Sequence, residues 1–163
     1  EARWLFDIPM ERVSAVIHPQ SIIHSMVRTT DGSVLAQMGW PDMRLPIQYA
    51  MLYPERPASG LKPYDPVATP TLTFESIDHE AFPALRIARD SVNAGGTAPC
   101  AFNSANEQAV AHFLQGKLGF LQISDVVEEA LSRHSASPVS LEALQATDQW
   151  ARAEVDRLAT AGV

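Results

Sequence analysis

The stretch His18-Pro19-Gln20-Ser21-Ile22-Ile23-His24-Ser25-Met26-Val27, continuing through Asp31-Gly32-Ser33-Val34-Leu35-Ala36-Gln37 to Pro41-Asp42-Met43-Arg44, decides how the early part of the chain folds. Two alternating apolar runs flank an Asp-Gly pair, a hairpin signature because these two residues tolerate the positive φ of a tight turn. With Asp31-Gly32 at the centre of a two-residue turn, the spacing predicts pairing of Thr30 with Ser33, Arg28 with Leu35, Met26 with Gln37 and His24 with Gly39. Side chains alternate across a sheet, so Ile22, His24, Met26, Arg28, Leu35 and Gln37 share one predicted face, and Ile23, Ser25, Val27, Val34, Ala36 and Met38 the other. The second face is almost wholly apolar and reads as core. On the first, the missing side chain of Gly39 leaves space beside His24, and the same register brings Ser21 near Asp42 and Gln20 near Met43. Ser21, His24, Gly39, Pro41 and Met43 therefore line the open end of the hairpin as a candidate site.

The chemistry of these residues admits plainer readings. A strand histidine is more often a hydrogen-bonded structural residue than a ligand contact. His18 and His24 share strand parity, as a metal pair would, but Pro19 interrupts the strand between them and no third ligand follows at useful spacing. No metal ligand and no catalytic residue is assigned.

Composition bounds the class. A chain of 163 residues with 46% hydrophobic residues can build a core without external staples. A net charge of −7 without a Lys/Arg cluster argues against nucleic acid or an anionic membrane as partner, since both require concentrated positive charge. The single cysteine, Cys100, cannot form an internal disulfide; it reads as packing, and a reducing cytoplasm is the expected compartment. No apolar run approaches the roughly 18 residues of a membrane span and no amino-terminal signal is visible. Without an initiator Met, Glu1 reads as an internal position of a longer chain.

Prolines punctuate the organisation. Pro54, Pro57, Pro63, Pro66 and Pro70 preclude a regular helix or central strand, so residues 54–79 are expected to be a proline-rich linker between a first lobe, 1–53, and a helical region, 80–163. The first lobe should contain a helix start at Glu1–Phe6, a strand at Val13–Ile17, the hairpin, and a helix opening near Pro41 with Ile47, Ala50 and Met51; Thr71–Phe74 could add an edge strand. Beyond the linker the apolar period becomes helical. Leu85, Ala88 and Val92 precede Gly95-Gly96, while Ala105, Ala109, Val110, Phe113 and Leu114 precede Gly116. Ser124 is expected to cap a third helix carrying Val127, Ala130 and Leu131, and a fourth with Ala151, Val155, Leu158 and Ala159 to begin near Thr147. The fold class is α+β: a partial lobe with a mixed β-sheet and hairpin, the linker, then an all-α four-helix bundle.

The strings EARWLF, HPQSIIHSMV, DGSVLAQ, PDMRLPIQYA, YPER, LTFE, FPALRIA, AGGTAP, FNSANE and AVAHFLQGKLGFLQI, in that order, resemble the carboxy-terminal part of the 1-deoxy-D-xylulose 5-phosphate reductoisomerase family. The resemblance implies that 1–53 ends a catalytic domain and that the whole protein converts a phosphorylated ketose to 2-C-methyl-D-erythritol 4-phosphate in non-mevalonate isoprenoid synthesis. It implies NADPH and a divalent cation, Mg or Mn, as cofactors, and a homodimer. The family's nucleotide-binding domain, its metal carboxylates and its phosphate-binding Ser, Asn and Lys would lie upstream, the last in a Met-Asn-Lys-Gly-Leu-Glu run just before Glu1. This chain alone would then bind neither cofactor. Carried over by resemblance, Ser21, His24, Pro41 and Met43 line the substrate, and Met43 also faces the nicotinamide. Two positions depart from the family's pattern: Trp40, whose role stays open, and Ser104, where Ala is usual, whose hydroxyl is expected to satisfy a helix end. The alternative function is a non-catalytic module that binds a sugar phosphate or serves assembly; a small metal hydrolase built on His18 and His24 lacks carboxylate partners at ordered spacing.

Overall fold

Proline and glycine divide the chain where its hydrophobic period changes, and a computed structural model describes residues 2–161. The expectations resting on Glu1 lie outside these residues. In order, the elements are α1 (Ala2–Leu5), a 3-10 turn (Met10–Arg12), β1 (Ile23–Arg28), β2 (Val34–Met38), α2 (Arg44–Leu52), α3 (Ala84–Ala94), α4 (Ala98–Leu114), α5 (Gln122–Ser132) and α6 (Leu141–Ala161), an α+β content. They fall into two compact units: Ala15–Ile77, and the described residues of Glu1–Ser14 with Asp78–Val163.

In the second unit α4 is central and packs on α3, α5 and α6. Its buried face is Ala98, Ala101, Ala105 and Ala109, a stripe of small side chains that lets neighbouring helices approach closely. Pro99 sits in its first turn, where the missing amide would have had no intrahelical partner. Ile87, Leu118, Val126, Val127, Ala130, Ala151, Val155 and Leu158 complete the core around Ala105 and Ala109. Burying a side chain such as Val155 or Leu158 contributes about 1.5–3 kcal/mol. Arg89 ties the early residues to this unit, its guanidinium donating to the Val13 carbonyl at 2.6 Å.

Three helix details differ from the sequence reading. Ser124 lies inside α5, which starts at Gln122; the Gln122 carboxamide instead accepts the Gly119 amide at 2.7 Å ahead of that start. Helix α6 begins at Leu141, before Thr147, because the Ser140 hydroxyl caps it by accepting the Ala143 amide at 3.1 Å. Ser104 serves no helix end: it lies in mid-α4 and donates to Asp148 of α6 at 2.6 Å. Along the same seam Arg152 bridges Glu107 and Asp148 at 2.6 and 3.0 Å, and Asp156 accepts from Gln108 and His112, both at 2.6 Å. Cys100 is half-buried, its thiol donating to the Leu144 carbonyl at 3.5 Å.

The α3–α4 junction is a clamp. Gly96, at φ +53°, passes so close to residue 137 that a Cβ would stand 2.4 Å from the Ser137 carbonyl oxygen. Thr97, fully buried, donates its amide to that carbonyl at 3.0 Å, and its hydroxyl meets His134 Nε2 at 2.9 Å. Burial pushes the His134 imidazole below its ordinary pKa.

The hairpin unit corrects the predicted register. Cα partners are Arg28 with Val34, Val27 with Leu35, Met26 with Ala36 and Ser25 with Gln37, one residue away from the two-residue-turn expectation. The Thr29 amide donates to the Ser33 carbonyl at 2.9 Å and the Gly32 amide to the Thr29 carbonyl at 3.0 Å, which makes a three-residue loop of Thr30, Asp31 and Gly32. Gly32 holds the left-handed position at φ +89°, and Asp31 caps the loop by accepting the Ser33 amide at 2.9 Å. One residue of slip exchanges the faces of a strand. Val34 and Ala36 accordingly join Arg28 and Met26, while Leu35 and Gln37 join Val27 and Ser25. Neither face is the buried core expected: every residue of both strands is exposed except half-buried Ile23.

The mixed sheet is, among the described residues, an antiparallel pair of strands. Val13–Ile17 contributes only a bridge, Ile17 with Glu75, and neither it nor Thr71–Phe74 forms a strand. Toward residue 73 the ladder stops because its next amide would belong to residue 19, and Pro19 has none. Side chains take over: His18 Nδ1 donates to the Thr73 carbonyl at 2.8 Å, and the Gln20 carboxamide accepts the Thr73 amide at 3.1 Å. The stretch between α2 and this bridge forms no helix or strand, and its carbonyls turn back within the unit, Pro57 accepting from Gln48 at 3.0 Å and Pro63 from Trp40 at 3.3 Å.

Candidate functional site

Ile22 anchors the candidate site. It is 1% exposed, the one buried apolar side chain of the hairpin unit, and its carbonyl accepts the Gly39 amide at 2.9 Å. That bond brings the segment before β1 beside the segment after β2. Ser21 precedes the anchor in a left-handed conformation, φ +50°, its amide bonded to the His18 carbonyl at 3.0 Å. His24 follows it on a bulge, because pairing shifts between Ile23 with Met38 and Ser25 with Gln37. A bulge leaves the extra residue unpaired and re-aims its side chain. Gly39 consequently faces Ile22, not His24, and the space expected beside the imidazole is not supplied by it; a Cβ on Gly39 would meet Gln37 and Leu45 at 3.8 Å.

Pro41 and Met43 lie on the other side of that bond, in the loop leading to α2. Ser21, His24, Pro41 and Met43 are all exposed, and they supply a hydroxyl, an imidazole and two apolar surfaces. His18 is committed elsewhere: Nδ1 is used by Thr73, the ring stacks on Phe74 at 4.7 Å, and Nε2 is buried without a partner among the described residues. Among the described residues no three His, Cys, Asp or Glu side chains converge as metal ligands, and no helix is long and apolar enough to cross a membrane.

Contacts that apolar spacing does not reveal hold this loop in place. The Asp42 carboxylate accepts the Arg44 amide and Nε, both at 2.9 Å, and Arg44 Nη2 at 2.6 Å. The Arg44 guanidinium, then its amide, pull the Asp42 carboxyl down to about 2. The signal was an Asp two residues before an Arg at a helix start. Trp40 also gains a role: its indole N–H donates to the Pro63 carbonyl at 3.3 Å, Tyr64 meets it edge-on with centroids 6.3 Å apart, and Lys62 Nζ lies 5.4 Å from its ring centroid. Two clefts, of about 310 and 400 Å³, lie in the helical unit and share His134; neither is lined by the four candidate residues.

A two-stranded hairpin opens into the Pro-Asp-Met-Arg loop, and helices α2 and α3–α6 follow it in sequence. Residues 38–154 match the family described as DXP reductoisomerase C-terminal domain, and the chain belongs to that family. It is 54% identical over 153 residues to the 1-deoxy-D-xylulose 5-phosphate reductoisomerase of Chlorobium chlorochromatii, covering 93% of this chain and 40% of that protein. Against the enzyme of Acetivibrio thermocellus it is 48% identical over 159 residues, 97% of this chain and 42% of the relative. The chain thus spans about 40% of the length of the curated relatives it matches. The structure of the Zymomonas mobilis enzyme in complex with NADPH superposes with a TM-score of 0.87 at 45% identity, over 97% of this chain and 42% of that one. A DOX-P reductoisomerase in complex with magnesium gives 0.83 at 36% identity, over 98% and 42% of the two chains.

Proposed function

We propose that this chain is the carboxy-terminal part of an NADPH- and divalent-metal-dependent reductoisomerase that converts 1-deoxy-D-xylulose 5-phosphate to 2-C-methyl-D-erythritol 4-phosphate. The observation that supports this is the superposition of nearly the whole chain on an NADPH-bound relative at 45% identity. On this reading 1–53 ends the catalytic domain, 54–79 crosses over, and 80–163 is a helical bundle; the hairpin is one margin of a larger mixed sheet, and the enzyme is a cytoplasmic homodimer using Mg or Mn.

The division of labour follows from the side chains. On this reading the metal carboxylates lie elsewhere in the protein; among the described residues no three His, Cys, Asp or Glu side chains converge. Bound nicotinamide supplies a hydride. Pro41 and Met43 give the dry wall that holds reactants close and excludes water, and Met43 also contacts the nicotinamide. Ser21 and the bulged His24 donate hydrogen bonds to the phosphorylated substrate or to the groups that hold it. Their work is positioning, and the transferred hydride belongs to the cofactor.

Kinetics on the full-length protein test this. His24→Gln should lower kcat/KM by the equivalent of about 1–3 kcal/mol, the worth of a donor to a charged group. Unchanged kcat/KM would place His24 outside the site. The 163-residue chain alone should oxidise no NADPH with the ketose phosphate and a divalent cation; turnover by it would overturn the division of labour.

A further inference from the structure

We propose that Asp42 is a positioning residue: by clasping Arg44 it fixes the Trp40–Arg44 loop and thereby holds Pro41 and Met43 as the apolar wall of the pocket. This rests on the assignment of Pro41 and Met43 under the proposed function. Met43 is 70% exposed, so no core packing fixes its direction. Its side chain is unbranched and flexible, and only its backbone can be held.

The hydrogen bonds around it do that. Asp42 uses both carboxylate oxygens, Oδ1 on the Arg44 amide and Nε and Oδ2 on Nε at 3.1 Å and Nη2 at 2.6 Å, a fork that spans Met43. Upstream, the Asp42 amide donates to the Trp40 carbonyl at 2.8 Å, which brackets Pro41 in the same way. Downstream, the Asp42 carbonyl accepts the Leu45 amide at 3.3 Å and the Met43 carbonyl accepts the Ile47 amide at 3.2 Å, joining the loop to α2. Trp40 in turn is tethered to Pro63. Asp42 precedes Met43 and its carboxylate holds Arg44, which follows it, so the clasp closes over Met43. Asp42 is half-buried but the Arg44 side chain is 76% exposed, and an ion pair with one partner in water contributes little to stability.

Asp31 provides the control. It makes the same contact, its carboxylate accepting the amide two residues on at 2.9 Å, but it brackets only the hairpin turn. In the full-length protein Asp42→Ala should raise KM for NADPH about threefold to fivefold, the most that an ion pair with one partner in water supplies, with kcat changed far less and the melting temperature within a few degrees. Asp42→Asn keeps an oxygen for the Arg44 amide and should give an intermediate rise. Asp31→Ala should leave both kinetic constants unchanged. Met43→Ala should raise the same KM, and adding Asp42→Ala to it should add little, since one acts through the other. A rise for Met43→Ala with none for Asp42→Ala, or additive rises in the double variant, overturns the positioning role and leaves the pocket standing. No rise for either variant overturns the pocket assignment itself. A fall in kcat and melting temperature together, without a selective change in KM, reduces Asp42 to a structural role.

Discussion

Val155 of α6 and Leu35 of β2 are both branched aliphatic side chains on regular elements, yet the first is fully buried and the second is 66% exposed. The difference lies in what each element can find within this chain. Helices α3, α5 and α6 each present one apolar stripe, and α4, lined with alanines, receives all three. A hairpin has two faces and two edges, and two strands cannot cover their own faces. Val27 at 62%, Val34 at 54% and Met38 at 40% exposure are the result. Local pattern is therefore sufficient for the helical unit, whereas nothing within the hairpin unit covers the hairpin's apolar residues.

The comparison can be broken at several points. The largest effect should come from Leu158→Ala, which empties a fully packed site and should cost about 2–5 kcal/mol in urea unfolding of this chain; a loss under about 1 kcal/mol would show the helical core to be loose. Gly96→Ala forces a left-handed alanine against the Ser137 carbonyl and should cost about 1–3 kcal/mol by the same measurement. Wild-type stability without strain there would mean the clamp opens freely.

Acid should act next, and on the helical unit. The Ser104 hydroxyl holds Asp148, the Gln108 carboxamide with His112 holds Asp156, and Arg152 holds Glu107 below their ordinary values. A carboxyl depressed in the folded state binds fewer protons than in the unfolded chain, so its contribution is complete above the usual carboxylate range of about 4 and drains as pH falls through the depressed value. Thermal melts followed below about pH 4 should show that decline, and Asp156→Asn should flatten it. The smallest effect is expected for Leu35→Thr, within about 0.5 kcal/mol, accompanied by weaker binding of a hydrophobic dye. A loss of about 2 kcal/mol would mean that face is covered after all.

The same contrast governs how much could be read beforehand. Glycines and apolar spacing located α3 and α4 because a helix declares itself over three or four turns. The start of α6 is marked by the cap at Ser140, about three turns ahead of the stripe of Ala151, Val155 and Leu158 on which a reading of apolar spacing fastens. At the hairpin, existence was legible and register was not. Asp-Gly serves a two-residue turn and also the end of a three-residue loop, and the choice rests on Thr29 and Asp31 bonding across the loop, which no alternation pattern encodes. Ser21, His24, Pro41 and Met43 are proposed from the string that carries them and from their place at the hairpin's open end, whereas the contacts of Asp42 with Arg44 and of Trp40 with Pro63 span two and 23 residues and leave no mark on the apolar spacing.

At Thr73 two segments of the hairpin unit are joined largely by side chains. A backbone ladder accepts almost any strand that offers amides and carbonyls in step, which is why open sheet edges invite foreign partners. Here Pro19 has removed the generic lock, and the imidazole and carboxamide that hold the Thr73 backbone also meet side chains, Gln20 Nε2 donating to the Thr73 hydroxyl at 2.8 Å and the His18 ring stacking on Phe74 at 4.7 Å. A strand without a hydroxyl and an aromatic ring at those two positions forfeits both contacts, so the join selects its partner by side chain as well as by backbone.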